Sequence, residues 1–324
     1  MSDQLVTVFG GSGFIGRHVV RELAKRGMRV RVAVRRPHLA EHVKPLGVVG
    51  QIQLFQANVR YAPSVAKALE GADACVFLPG VLAPQGRQTF EAVQAAGAAN
   101  VARAAAEAGI DNFIHISAIG ANAASKSVYA RTKAEGEAAV RAAVPTATIL
   151  RPSIVFGEGD GFFNRFASMA RFVPALPAIG GGKTRFQPVY VDDVADAVCE
   201  ALTRPEARGR TYELGGPGVY SFTELMTLML QVIGRKRVLA PVPFPIAGLM
   251  GLGGEIAGWL PFLEPFLTRD QVELLRSDNI VGVSGDDVGT LADLGITPDS
   301  VEAILPNYLE RYRKYGQFAD NAAA

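Results

Sequence analysis

The chain has 324 residues, 49% of them apolar, and its Lys and Arg outnumber Asp and Glu only by 33 to 31. That length and apolar share suit one large α/β domain, or a domain with a smaller lobe, and the near-balance of charge gives no footing for a nucleic-acid partner. The two cysteines, Cys75 and Cys199, show neither metal spacing nor a disulfide framework; they fit a reducing compartment and read as small buried hydrophobes. No apolar run reaches the ~18 residues of a membrane span, and no basic-then-apolar leader precedes the first strand.

Leu5–Phe9 is a short β-branched run and reads as a strand. Gly10-Gly11-Ser12-Gly13-Phe14-Ile15-Gly16 follows, and helical periodicity runs over 13–26. A glycine triplet that leaves a strand, opens a helix and is soon followed by a second strand is the signature of a dinucleotide site. Gly10 permits the tight turn, Gly13 lets backbone approach a pyrophosphate, and Gly16 lets the helix pack close. The helix N-terminus offers unpaired N–H groups to the anion. Ser12, Phe14 and Ile15 share this segment and join the cofactor-binding candidates.

Residues 29–34 read as the second strand. A carboxylate ~20 residues past the glycines would take a ribose 2′-OH. Here that place holds Val34-Arg35-Arg36-Pro37. A guanidinium bonds a 2′-phosphate bidentately, so the reading favours NADP(H) over NAD(H), with Arg35 the first contact and Arg36 the second. Residues 52–56 are a third strand. Asn58-Val59 after it either flanks the adenine or, for Asn58, forms a turn.

Residues 63–69 are helical, and 73–78 form a fourth strand ending on Leu78, a further cofactor candidate. A long alanine-rich helix spans 89–108. A fifth strand, 112–117, ends on Ser117; a helix covers 128–144 and a sixth strand 147–150, before Arg151-Pro152. This alternation predicts an α/β fold, a doubly wound parallel (Rossmann) sheet with right-handed crossovers.

The rhythm breaks beyond Pro152. Residues 156–188 are rich in Gly, Pro and Phe; 188–194 lead into a helix to about 202, where Asp192 and Asp193 suit N-terminal capping. Residues 211–214 are a late strand rejoining the sheet. The expected division is a dinucleotide-binding domain, 1–152 plus 187–217, and a smaller mixed α/β lobe, 153–186 plus 218–324. Gly180-Gly181-Gly182-Lys183-Thr184 lacks phosphate-loop spacing and reads as a flexible loop, with Arg185 and Gln187 at the surface. His115 reads as a satisfied core histidine. His18, His38 and His42 have no ligand spacing, so no metal is expected. Residues 238–267, including Trp259, Leu260, Phe262, Leu263 and Phe266, read as lobe core, with a partner or membrane surface as the sharper alternative. Residues 321–324 read as frayed.

Tyr129 and Lys133 stand four apart on one predicted helix face. An ammonium beside a phenol favours the phenolate, which suits proton transfer. Ser117 precedes them at a strand C-terminus, where it would hydrogen-bond a substrate carbonyl.

Glycine motif, Ser117, Tyr129/Lys133, Arg151-Pro152 and Val191-Asp192-Asp193-Val194 together resemble the extended and atypical branches of the short-chain dehydrogenase/reductase superfamily. The resemblance covers most of the chain. It implies a catalytic triad of Ser117, Tyr129 and Lys133, with Lys133 also on the nicotinamide ribose and Pro152 near the nicotinamide. Gln94 stands where active members often carry asparagine, and the Ser117–Tyr129 spacing is shorter than in sugar-nucleotide epimerases.

Phe113–Ala121, Ser127–Glu137, Arg151–Gly157 and Gln187–Val194 narrow the resemblance to the NADPH-binding accessory subunit of respiratory complex I and its bacterial relatives. That resemblance implies a structural nucleotide, complex I subunits as partners at the membrane surface, and a cytoplasmic location peripheral to the inner face of the cytoplasmic membrane. The other reading is an active NADPH-dependent reductase or dehydrogenase acting on a small carbonyl substrate through Ser117, Tyr129 and Lys133. An epimerase/dehydratase-like enzyme is a third.

Overall fold

The computed structural model describes residues 4–257, 267–282, 288–314 and 316. In chain order the first segment holds β1 (Leu5–Phe9), α1 (Phe14–Lys25), β2 (Arg29–Val34), β3 (Ile52–Gln56), α2 (Ala62–Leu69), β4 (Ala74–Phe77), α3 (Ala96–Glu107), β5 (Phe113–Ile116), α4 (Val128–Ala143) and β6 (Thr148–Pro152). Then come β7 (Val155–Phe156), α5 (Phe163–Met169), β8 (Ala175–Ile179), β9 (Arg185–Phe186), β10 (Val189–Tyr190), α6 (Val191–Thr203) and β11 (Thr211–Leu214). The remainder holds β12 (Tyr220–Ser221), α7 (Phe222–Val232), β13 (Val238–Val242), α8 (Phe244–Ala257), α9 (Arg269–Leu274) and α10 (Val301–Leu309).

Two compact units emerge. The first comprises the described residues of Met1–Pro152, Val191–Leu214 and Ser284–Thr297; the second those of Ser153–Tyr190, Gly215–Val283 and Pro298–Ala324. The first unit carries a seven-stranded sheet in the order β11-β6-β5-β4-β1-β2-β3, parallel at every pairing. Strands sandwiched between helix layers need apolar side chains on both faces, and β1, β4 and β5 are buried at every position. The order reverses between β1 and β4, the place where parallel sheets open a ligand crevice.

α1 buries Gly16, Val19, Val20, Leu23 and Ala24 along one face; each large side chain so removed from water contributes about 1.5–3 kcal/mol. Asp192 does more than favour the start of α6. Its carboxylate meets both His18 and Arg21 of α1, and Arg26 reaches Asp196 and Glu200 a turn or two further along. α4 begins where Ser127 caps it by accepting from the Ala130 N–H.

The second unit is a mixed α/β body with three two-stranded sheets: β10–β7 and β13–β8 parallel, β12–β9 antiparallel. Its core is aromatic: Phe156, Phe163, Phe186 and Phe222 are buried, with Phe162 and Phe166 packed edge-on among them. The expectation that 238–267 is core holds only in part. Ala247 and Leu267 are buried, but Ile246, Leu249, Met250 and Leu252 are exposed on α8. Trp259, Leu260, Phe262, Leu263 and Phe266 lie outside the described residues, as do 321–324. No helix among the described residues is long and apolar enough to cross a membrane, and no group of three or more His, Cys, Asp or Glu there would hold a metal ion. Cys75 and Cys199 are buried thiols.

Candidate active site

Every candidate residue belongs to the first unit. The chain leaves β1 through Gly10 at φ +79°, a left-handed conformation that glycine adopts without a Cβ penalty. A Cβ on Gly16 would stand 2.2 Å from the Gly10 carbonyl oxygen and 2.6 Å from Gly11 Cα, so no side chain fits there. Gly13 is exposed; its N–H donates to the Gly10 carbonyl at 3.0 Å. No side chain caps the first turn of α1. Open backbone donors at a helix start, on a glycine turn beside the switch point, fit a pyrophosphate.

The turn after β4 lies against this loop. Leu78 N–H donates to the Phe9 carbonyl at 3.1 Å, and a Cβ on Gly10 would sit 3.4 Å from Pro79 N and 3.5 Å from Leu78 Cβ. Gly80 links this edge to the candidate catalytic residues: its Cβ position is 3.5 Å from Lys133 Nζ. Lys133 is buried, donates from Nζ to the Ile116 carbonyl at 3.1 Å, and stands 5.9 Å from the centroid of the Tyr129 ring. Burial pushes its ammonium down to about 8, and the Glu137 carboxylate one turn on opposes that fall.

Ser117 immediately follows Ile116. Its backbone N–H bonds the Leu150 carbonyl at 2.8 Å, while its buried hydroxyl has no hydrogen-bond partner among the described residues. A buried hydroxyl left unpaired costs about 1–3 kcal/mol, and a ligand carbonyl would remove that cost. Pro152 is buried at the end of β6 and accepts from Ile119 N–H. Thus Ser117, Tyr129, Lys133 and Pro152 sit on the C-terminal ends of β5 and β6 or the helix between them.

The adenosine-side candidates occupy the adjacent strand ends. Arg35 and Arg36 follow β2 and are exposed. Asn58 accepts the Arg60 N–H on its side-chain oxygen at 3.1 Å, the local bond of an Asx turn. Val59 packs against Gly97 of α3. The Ser12 carbonyl oxygen lies 3.3 Å from His42 Nε2.

Gln94 belongs to a single π-helical turn, Glu91–Ala95, which leads into α3. It is buried, donates to the Val81 carbonyl at 2.9 Å and accepts from the Thr132 hydroxyl at 2.9 Å. Periodicity cannot reveal such a turn in an alanine-rich helix. His115 differs from its sequence reading. It is buried and stacked on Phe77 at 5.4 Å, but neither ring nitrogen has a hydrogen-bond partner among the described residues; burial, with Lys133 and Arg141 adding to it, holds it neutral down to about pH 3. Sequence reasoning also missed Arg151 as the ion-pair partner of two buried carboxylates, Glu137 and Glu213, a grouping that no local spacing signals.

The NAD dependent epimerase/dehydratase family matches residues 6–215. The chain belongs to that family. Within it, this family member is 35% identical over 323 residues to the Arabidopsis thaliana mitochondrial protein "NADH dehydrogenase [ubiquinone] 1 alpha subcomplex subunit 9", covering 98% of this chain and 80% of that protein. It is 32% identical over 257 residues to a Caulobacter vibrioides ceramide reductase, covering 79% of this chain and 78% of that one. The crystal structure of an Escherichia coli NADPH-dependent quinone oxidoreductase complexed with NADPH superposes with a TM-score of 0.73 over 93% of this chain and 99% of that chain, at 17% identity; that likeness speaks for the fold alone. The fold is therefore an NAD(P)-binding one, and the chain is a homologue of the complex I subunit.

Proposed function

We propose that this protein holds NADP(H) as a structural nucleotide and serves as an accessory or assembly component of respiratory NADH:ubiquinone oxidoreductase, peripheral to the inner face of the cytoplasmic membrane. The carrying observation is the match to the complex I subunit along 98% of the chain. The glycine cradle supports the nucleotide, since Gly16 leaves no room for a side chain and Gly13 is exposed at the start of α1. Arg35 and Arg36, with no carboxylate at the end of β2, support the 2′-phosphate. A nucleotide at a thousand times its Kd would stabilise the fold by ~4 kcal/mol. Calorimetric titration with NADPH and NADH tests the cofactor. Arg35→Ala should weaken NADPH at least about tenfold and leave NADH unchanged; equal losses would remove Arg35 from this role. Co-purification with complex I subunits from gently solubilised membranes tests the partner, and a protein recovered alone would count against it.

A second reading, an active NADPH-dependent reductase, is favoured by one observation: the unpartnered Ser117 hydroxyl beside the buried Lys133. Bound nicotinamide would supply the hydride. Ser117 would hold the substrate carbonyl, Tyr129 would deliver the proton to its oxygen, and the Lys133 ammonium would favour negative charge on the phenol. The ceramide reductase relative agrees with this chemistry in kind. Tyr129→Phe separates the readings: turnover that disappears speaks for the enzyme, whereas unchanged complex I assembly speaks for the structural role.

A further inference from the structure

The connection between β2 and β3 turns back onto the glycine loop. It opens with two short 3₁₀ helices, Pro37–Leu39 and Glu41–Leu46. Ala40 and Val43 are buried, and Gln51 donates from its amide to the Ala24 carbonyl in α1 and the Met28 carbonyl just after it, at 2.7 and 2.9 Å. These contacts hold the connection down on the first unit. His42, next to the buried Val43, stays exposed, and its Nε2 lies 3.3 Å from the Ser12 carbonyl oxygen. The ring is thereby brought to the turn that leaves β1.

A carbonyl oxygen only accepts, so Nε2 carries a proton in this contact and Nδ1 is the nitrogen left for a ligand. β1 and β2 are neighbours with Phe9 opposite Ala33, and the Gly10 N–H donates to the Ala33 carbonyl at 3.2 Å. Ser12 and Arg35 each follow that bond by two residues, at adjoining strand ends. The end of β2 is where a dinucleotide fold meets the 2′ position of the adenosine ribose. The carboxylate beside His42 in sequence, Glu41, is engaged by Lys44 at 2.6 Å. The ionisable side chains between β2 and Glu41 are Arg35, Arg36 and His38, all bases.

We propose that His42 is a specificity-determining residue of the nucleotide site: its Nδ1 meets the 2′-phosphate of NADP(H) together with Arg35, while Nε2 holds the ring to the Ser12 carbonyl. The inference rests on the NADP(H) reading above and deepens it. A phosphate dianion beside Nδ1 favours the imidazolium, whose Nδ1–H then makes a charge-assisted bond. A ribose 2′-hydroxyl carries no such charge, so His42 discriminates between the two nucleotides. A contact to the pyrophosphate, which both share, could not.

The test is calorimetric titration of the full-length protein with NADPH and with NADH, in the native form and as His42→Gln. A glutamine amide can still donate to the Ser12 carbonyl but carries no positive charge. His42→Gln is expected to weaken NADPH about fivefold or more and to leave NADH within about twofold. Unchanged NADPH affinity, or equal losses for both nucleotides, overturns the proposal and leaves His42 as a tie between two loops. NMR of the His42 ring nitrogens in the native protein, assigned by through-bond correlation, gives a readout that needs no variant: NADPH should protonate Nδ1 and NADH should not. A ring that NADPH leaves unchanged overturns the proposal as well. A native protein that binds neither nucleotide, or NADH as tightly as NADPH, fails the NADP(H) reading itself and the proposal with it. A native preference for NADPH that persists in His42→Gln removes His42 alone.

Discussion

Each unit buries an ionisable side chain, and each compensates it differently. In the first, Lys133 donates to the Ile116 carbonyl, and the Glu137 carboxylate one helical turn on favours its charge. In the second, Asp160 is answered by neutral donors. Its carboxylate accepts from the N–H groups of Gly157, Phe162 and Asn164 and, at 2.6 Å, from the Tyr308 hydroxyl. Burial raises the Asp160 pKa against the pull of those bonds, and burial together with the carboxylate raises that of Tyr308. These donors tie the loop that carries Asp160 to α10. A charged lysine bordering a glycine-lined crevice is the kind of group that chemistry or a phosphate can use.

The comparison breaks most sharply at Gly16. Gly16→Ala forces a Cβ into the Gly10 carbonyl, and is expected to reduce NADPH affinity by about a hundredfold or more and to cost about 3 kcal/mol of stability, read by titration and urea unfolding. Tyr308→Phe is the counterpart in the second unit. It removes one donor from a buried carboxylate and should cost about 2 kcal/mol while leaving NADPH affinity unchanged. A loss of affinity there would show that the aromatic unit governs the crevice.

His115 sharpens the contrast through pH. Its pKa in the folded protein is depressed, so its contribution to stability is present above about 6.5 and is lost progressively as pH falls toward 3. Asp160 acts in the opposite sense: its pKa is raised, so its contribution is present below the unfolded carboxylate value and is lost as pH rises through the folded one. His115→Phe, which keeps a ring on Phe77, should change stability at pH 7 by less than about 1.5 kcal/mol. It should also flatten the decline in stability between pH 6 and pH 4, measured by chemical denaturation. An unaltered decline would place the acid-sensitive group elsewhere.

The alternating half of the chain was legible because its signals are local. The apolar run of β1, the glycines after it, and the periodicity of α1 and α4 each declare themselves within a few residues. The short strands β7, β9, β10 and β12 span two residues each and have no period to detect. β8 and β13 carry Pro177 and Pro241, residues that argue against a strand until the pairing is seen. The glycine motif and the Tyr129/Lys133 spacing could be named from sequence, but the network behind Lys133 could not. Glu137, Arg151 and Glu213 come together only when β6 and β11 pair, and no local pattern records a register between residues 62 positions apart.

The ties between α1 and α6 bear on how the chain is made. Arg26 and Glu200 are 174 positions apart. At about 5–20 residues per second, a ribosome needs roughly ten to thirty-five seconds after completing α1 before its partner helix leaves the exit tunnel. Throughout that interval the nascent chain carries the Val19, Val20 and Leu23 face of α1 without α6 to close over its neighbouring charges, and β6 without β11. Completion of the sheet is thus deferred until the intervening second-unit segment has been synthesised. A truncation ending before α6 would leave a protein with an open sheet edge, the form most exposed to chaperones and to aggregation.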